Sequence, residues 1–151
     1  MVWLVLFHVL TSIVGFGPTF FSFILLRKSQ TISDLRHNLI LHHKLHYFPK
    51  IGGTLAVISG ILLVLLGDYG TILQVWLFGS IILFMAIQVL YIGFILPALF
   101  ELQEWVLHPN NRASTQLPLE QLMLLRKACN YYYVVIILTL LIFTFMILKP
   151  N

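Results

Sequence analysis

A single histidine lies in an otherwise apolar stretch near the start of the sequence. His8 is followed by Thr11, Ser12 and Gly15, and on a helix these positions share one face, at i, i+3, i+4 and i+7. Imidazole is a common axial ligand of haem iron, and an ionisable side chain within a membrane helix is a functional candidate by default. His8 is therefore the first candidate for a chemical role.

Haem b at His8 would need small neighbours around the ring. Thr11 and Ser12 would orient it, while Gly15 and Gly60 would leave room for a flat porphyrin. The alternative is that His8 only donates a hydrogen bond to a neighbouring helix. Both interpretations require the polar face of this helix to point toward protein, because hydrocarbon leaves polar groups unsatisfied.

A second pair of histidines has metal-ligand spacing. His42 and His46 lie at i and i+4, as in two ligands of one metal ion on a helix. Asp34 is the only acidic residue nearby, so the alternative is that both imidazoles contact lipid headgroups. The lone cysteine, Cys129, excludes an internal disulfide and a thiolate metal cluster.

The composition is that of a membrane protein. Of 151 residues, 60% are hydrophobic and only 9% are charged, and a helix needs about 20 mostly apolar residues to cross the hydrocarbon. We predict an all-α integral membrane protein, an antiparallel four-transmembrane-helix bundle that forms a single membrane domain over residues 1–151. The predicted spans are residues 2–26, 48–67, 71–100 and 128–148.

The connection after the first span predicts a short interfacial helix. The segment TISD, which starts at Thr31, resembles a capping box, and Ile32, Leu35 and Leu39 then recur at helical spacing until Pro49. We expect an amphipathic helix over residues 32–47, lying at the cytoplasmic surface of the membrane.

Charge asymmetry between connections predicts the orientation. The connections 27–50 and 101–130 are basic, whereas the turn at Asp68 contains no Lys or Arg. The positive-inside rule places both basic connections in the cytoplasm, so we expect a multi-pass protein of the cell membrane with both termini outside. The net charge of +4 fits the anionic headgroups of a lipid bilayer and gives no indication of nucleic acid binding.

Small residues indicate close helix packing. Gly52, Ala56 and Gly60 recur every four residues in the second span, the pattern of a tight helix–helix contact. Such a face can pack within the chain, against a second copy in a homo-oligomer, or against a partner membrane subunit.

The segments FHVLTSIVGFGPTFFSFILLRK and LRKACNYYYVVIILTLLIFTFMILKP resemble a bacterial family of four-span integral membrane proteins of unknown function. More distantly, the four helices resemble copper-resistance protein D and the HemJ-type membrane protoporphyrinogen oxidases. The oxidase resemblance implies haem b binding at His8, and it matches Gly15 or Gly17 and Gly60 to glycines of that family.

Three departures separate the chain from the oxidase pattern. Ser80, Tyr91 and Tyr131 occupy positions where the oxidases have Lys, His and Glu. The resemblance therefore implies the scaffold, and we do not expect protoporphyrinogen oxidation. The leading hypothesis is a redox or haem-handling role without catalytic residues. The alternatives are a non-enzymatic accessory or assembly subunit of a larger membrane complex and a small-solute transporter.

Overall fold

The computed structural model describes residues 1–67 and 74–150, and these ranges are helical apart from short connections. The helices are α1 (Val2–Leu25), α2 (Ile32–Leu45), α3 (Tyr47–Leu66), α4 (Val75–Leu90), α5 (Leu96–Leu107) and α6 (Leu119–Leu148). A π-helical turn, Tyr91–Ile95, joins α4 to α5, and a 3-10 turn, Pro109–Asn111, follows α5.

Four helical stretches are long and apolar enough to cross a membrane. They are Val2–Leu25, Ile32–Leu66, Val75–Leu107 and Leu119–Leu148. The shortest has 24 residues and rises about 36 Å, more than the roughly 30 Å of hydrocarbon. The predicted all-α fold with four membrane-crossing helices is thereby confirmed.

The helices extend beyond the predicted spans at the more polar end of the molecule. α5 continues the third stretch to Leu107, and α6 begins at Leu119, nine residues before the predicted span. The predicted turn at Asp68, the first three residues of the predicted third span (71–73) and the last residue of the chain lie outside the described residues.

Capping and burial explain α2, which was predicted as an interfacial helix. The backbone N–H of Asp34 donates to Thr31 Oγ1 at 3.1 Å, so Thr31 is the N-cap. Leu35 and Leu39 are 0% and 1% exposed because α2 folds back on α1 and α5. The apolar stripe read from the sequence is therefore the surface that holds α2 on the bundle.

The membrane-crossing helices pack as two close pairs, α1 with α3 and α4 with α6. α1 joins the pairs through α6, and the ring of Phe16 bridges them by meeting Phe84 and Phe143 edge to face. In residues 1–67 and 74–150, no Cα atom of α3 lies within 8 Å of α4 or α6. The backbone of α3 therefore packs on α1 and, to a smaller extent, on α2 within the described chain.

Glycines bring the backbones of α1 and α3 into contact. A Cβ atom on Gly52 would lie 2.5 Å from the backbone nitrogen of Gly15, and one on Gly15 would lie 2.8 Å from that of Gly53. Both distances are shorter than real Cβ contacts, so any larger residue at Gly52 or Gly15 would push the two helices apart. The small-residue faces predicted on α1 and α3 therefore pack against each other.

Basic residues gather at the end of the bundle formed by α2, α5, the C-terminus of α1 and the N-termini of α3 and α6. We call this region the basic end, and it holds eight of the nine Lys and Arg residues: Arg27, Lys28, Arg36, Lys44, Lys50, Arg112, Arg126 and Lys127. The most completely buried apolar side chains also lie there, including Leu102, Val106 and Leu125.

Candidate functional site

His8 lies between α1 and α3 at the end opposite the basic end. Its Nδ1 atom is 2.9 Å from the carbonyl oxygen of Ala56 and 3.0 Å from Ser59 Oγ, both on α3. A Cβ atom on Gly60 would be 3.1 Å from the imidazole Cε1, so the ring lies directly over this glycine. The hydrogen bond to a neighbouring helix, which was the simpler interpretation of His8, is present.

The hydrogen bonds of His8 determine its tautomer. A carbonyl oxygen only accepts, so Nδ1 must carry the proton that is donated to Ala56. Ser59 Oγ donates to its own helix, 2.7 Å from the carbonyl oxygen of Leu55, and can also accept from Nδ1. In the neutral imidazole Nε2 then keeps its lone pair, and it has no hydrogen-bond partner among the described residues. Metal-bound histidines use this arrangement, in which one nitrogen is anchored and the other is open.

The hydroxyl groups of Thr11 and Ser12 bond to the backbone of α1. Thr11 Oγ1 donates to the carbonyl oxygens of Phe7 (2.9 Å) and His8 (3.0 Å), and Ser12 Oγ donates to that of His8 at 2.7 Å. These bonds satisfy the hydroxyls within the helix, as is common for Ser and Thr in apolar helices. The two residues lie beside His8, and their hydroxyls bond to backbone carbonyl oxygens of α1.

Protein atoms occupy the space beside both predicted glycines. α3 packs on Gly15, and the imidazole of His8 itself covers Gly60. A flat ligand on Nε2 would therefore lie at the edge of the α1–α3 contact rather than inside it.

The sequence interpretation did not include Ser59, one of the two groups that hold the imidazole. Ser59 is 1% exposed and shares the buried face of α3 with Gly52, Ala56 and Leu63. These positions alternate in steps of four, three and four residues, which is the spacing of a helix-packing face. Extending the Gly52–Ala56 repeat in this way would have placed Ser59 opposite α1.

A second polar cluster lies at the basic end around a histidine–tyrosine pair. His42 Nε2 on α2 is 2.6 Å from Tyr132 Oη on α6, and both residues are buried. The π-helical turn places Tyr91 beside them, with its ring centroid 6.5 Å from that of Tyr132. The polar lining of an adjoining cavity of about 10 Å³ consists of these three residues together with Thr19, Ser22 and His46, and Pro18, Leu45 and Pro49 complete its wall. The cavity is large enough for roughly one water molecule.

The predicted metal ligands His42 and His46 both line this cavity, yet each has a nitrogen engaged elsewhere. His42 Nε2 bonds to Tyr132, and His46 Nδ1 bonds to the carbonyl oxygen of His43. Across the part of the chain that the structure describes, no group of three or more His, Cys, Asp or Glu side chains is placed to hold a metal ion. The pair therefore remains a prediction from spacing.

We expect Tyr132→Phe to lower the free energy of unfolding by about 1–3 kcal/mol, because it leaves buried His42 Nε2 without its partner. Thermal unfolding of the purified protein in detergent would measure this loss. Tyr133→Phe is the matched control, because Tyr133 is 45% exposed and its ring contacts with Phe23 and Lys28 survive without the hydroxyl. Equal stability of the two variants would contradict the assigned role of the His42–Tyr132 bond.

Comparison with known proteins places the chain in a family. A family model described as "Predicted integral membrane protein (DUF2269)" matches residues 2–150. The chain belongs to this family. No curated protein and no solved structure matches it.

The match covers every described helix, so the predicted resemblance to a family of integral membrane proteins of unknown function is confirmed. The family match does not include copper-resistance protein D or the HemJ-type oxidases, so the more distant resemblance to them remains a prediction. Membership of the DUF2269 family thus supports the bilayer as the environment of the four apolar stretches and assigns no activity.

Proposed function

We propose that this DUF2269 protein binds haem b through Nε2 of His8 and serves in electron transfer or haem handling within the membrane. The observation that carries the proposal is the Nδ1–H donor bond to the carbonyl oxygen of Ala56 at 2.9 Å. This bond fixes the orientation of the ring and leaves the other nitrogen with its lone pair outward.

Each residue around His8 has a defined part in this proposal. Ala56 and Ser59 hold the imidazole, and Gly60 lets it lie against α3. Thr11 and Ser12 bond their hydroxyls to the carbonyl oxygen of His8 in the turn of α1 that carries the imidazole. Haem would supply one-electron chemistry when bound, and Nε2 of His8 would hold its iron within an apolar surrounding.

The resemblance to the HemJ-type oxidases supports the choice of His8, while the chain's departures at Ser80, Tyr91 and Tyr131 argue against oxidase activity. Ser80 is buried, and its hydroxyl donates to the carbonyl oxygen of Trp76 in its own helix. Tyr91 lies near Tyr132 at the basic end, and Tyr131 contacts Phe94. None of these side chains is basic or acidic, so we propose binding without catalysis.

The proposal is tested by the absorption spectrum of the purified protein in mild detergent, recorded oxidised and reduced and during titration with haem. We expect a Soret band that saturates at one haem per chain and shifts on reduction. A colourless preparation that stays spectrally silent after haem addition would contradict the proposal.

An accessory or assembly subunit is the second candidate, and one observation favours it. A Cβ atom on Gly17 or Gly53 would meet nothing within 4 Å, so small residues remain uncovered beside the α1–α3 contact. A partner helix can approach closely at such positions. This candidate predicts co-purification with a larger membrane complex, and a stable solitary monomer would count against it.

Transport of a small solute has less support, because residues 1–26, 51–67, 69–100 and 128–148 contain no Asp, Glu, Lys or Arg that would mark an ion pathway, and His8 is their only histidine. Uptake into proteoliposomes no faster than into empty vesicles would remove this alternative.

A further inference from the structure

A shallow, open groove lies on the surface of α6, where this helix passes from its charged part into its uncharged part, and all of its lining residues belong to this one helix. Its lining residues are Met123, Arg126, Lys127, Asn130 and Tyr131, which include two cations and no acid. The ring of Tyr131 lies 5.1 Å from that of Phe94, and Lys127 Nζ is 5.9 Å from the Phe94 centroid. The groove therefore has a basic rim beside an aromatic pair.

No acidic side chain in the described part of the chain neutralises the positive charge of this groove. Among the described residues, none of the eight Lys and Arg side chains of the basic end has a carboxylate oxygen within 4.0 Å. Arg126 is exposed, and within residues 1–67 and 74–150 the only interaction of Lys127 is with the Phe94 ring. Arg126 and Lys127 are thus free to bind an external anion.

An apolar stripe continues from the groove along the same face of α6. The exposed residues Lys127, Asn130, Val134, Ile137 and Leu141 follow one another in steps of three and four, so they form one line. Val134, Ile137 and Leu141 are 44%, 59% and 41% exposed. The order along this line is cation, amide and then hydrocarbon, which matches an anionic phospholipid from its headgroup to its acyl chain.

We propose that this groove is a binding site for an anionic phospholipid. Arg126 and Lys127 bind the headgroup phosphate, Asn130 donates a hydrogen bond from its amide, and one acyl chain lies along Val134 and Ile137. Basic residues that flank a membrane span recognise anionic headgroups by charge. The stripe below the groove favours a lipid over a free phosphate, because a free phosphate would leave that apolar surface unused.

Native mass spectrometry of the full-length protein, released from detergent micelles, tests the site with phosphatidylglycerol and phosphatidylcholine as probes. We expect the wild type to retain phosphatidylglycerol preferentially. The double variant R126Q/K127Q should weaken that binding by roughly tenfold or more, because each basic residue contributes measurably at an anionic surface. Its binding of phosphatidylcholine should stay unchanged.

K44Q/R112Q is the matched control, because it removes the same charge from exposed side chains of the basic end that lie outside the groove. We expect this variant to bind phosphatidylglycerol within twofold of the wild type. The charge-conserving R126K/K127R should also retain binding, which separates loss of charge from loss of folding. Equal losses of phosphatidylglycerol binding in R126Q/K127Q and K44Q/R112Q would overturn the proposal. A wild type that binds both lipids equally would also overturn it, as would displacement of the bound lipid by soluble glycerol phosphate.

Discussion

His8→Ala is expected to abolish the Soret band of the purified protein and to weaken haem binding by about 100-fold or more. Losing even a partner that only orients a metal ligand costs 10–100-fold in affinity, so losing the ligand itself should cost at least as much. Absorbance titration with haem in detergent measures the change directly.

Two further variants sharpen this result. His43→Ala is the matched control, because His43 is exposed on α2 at the basic end and should leave the spectrum unchanged. Ser59→Ala keeps the Ala56 carbonyl bond and removes the second contact of Nδ1, so we expect a smaller loss, up to about tenfold. An unchanged Soret band in the His8 variant would refute the proposed ligand.

Gly52→Ala is expected to destabilise the protein by about 3 kcal/mol, at the upper end of what overpacking usually costs. The added Cβ would lie 2.5 Å from the backbone nitrogen of Gly15 and 2.8 Å from its Cα. Backbone atoms cannot rotate away as a flexible side chain can, so α1 and α3 must separate. Separation would also draw His8 away from Ala56, and we therefore expect a second loss, in haem affinity.

Gly53→Ala is the neighbouring control for this prediction. A Cβ atom at Gly53 would meet nothing within 4 Å, and alanine favours a helix over glycine by up to about 1 kcal/mol. We expect stability equal to or above that of the wild type, measured by reversible unfolding in mixed detergent micelles. If the two alanine variants unfolded alike, the close approach of α1 and α3 would be wrong.

Local patterns were sufficient to predict the individual helices. Hydropathy and length indicate a membrane span without reference to any other part of the chain. The capping segment at Thr31 and the apolar repeat through Leu39 likewise lie within one helix, and both agree with α2. The small-residue positions Gly15 and Gly52 were recognised for the same reason, although the sequence did not say that they would meet.

Local patterns could not predict the contacts between residues that are far apart in the sequence. His42 and Tyr132 are 90 residues apart, and no periodicity links the two segments that carry them. The sequence could place His8 toward protein because hydrocarbon disfavours an unpaired imidazole. The sequence could not show that α3 would pack on Gly15 or that the imidazole would pack on Gly60. Both contacts depend on which helices become neighbours.

The packing of the α3 backbone on α1 and α2 affects how a hydrophobic molecule would reach His8. Over the described ranges, no Cα atom of α4 or α6 lies within 8 Å of α3, so neither helix packs over the α3 side of the edge of the α1–α3 contact. A compound dissolved among the acyl chains can therefore approach this edge sideways, without passing through water and without any segment of the protein opening. Its exchange would then depend on lateral diffusion in the bilayer and on how tightly the imidazole retains it.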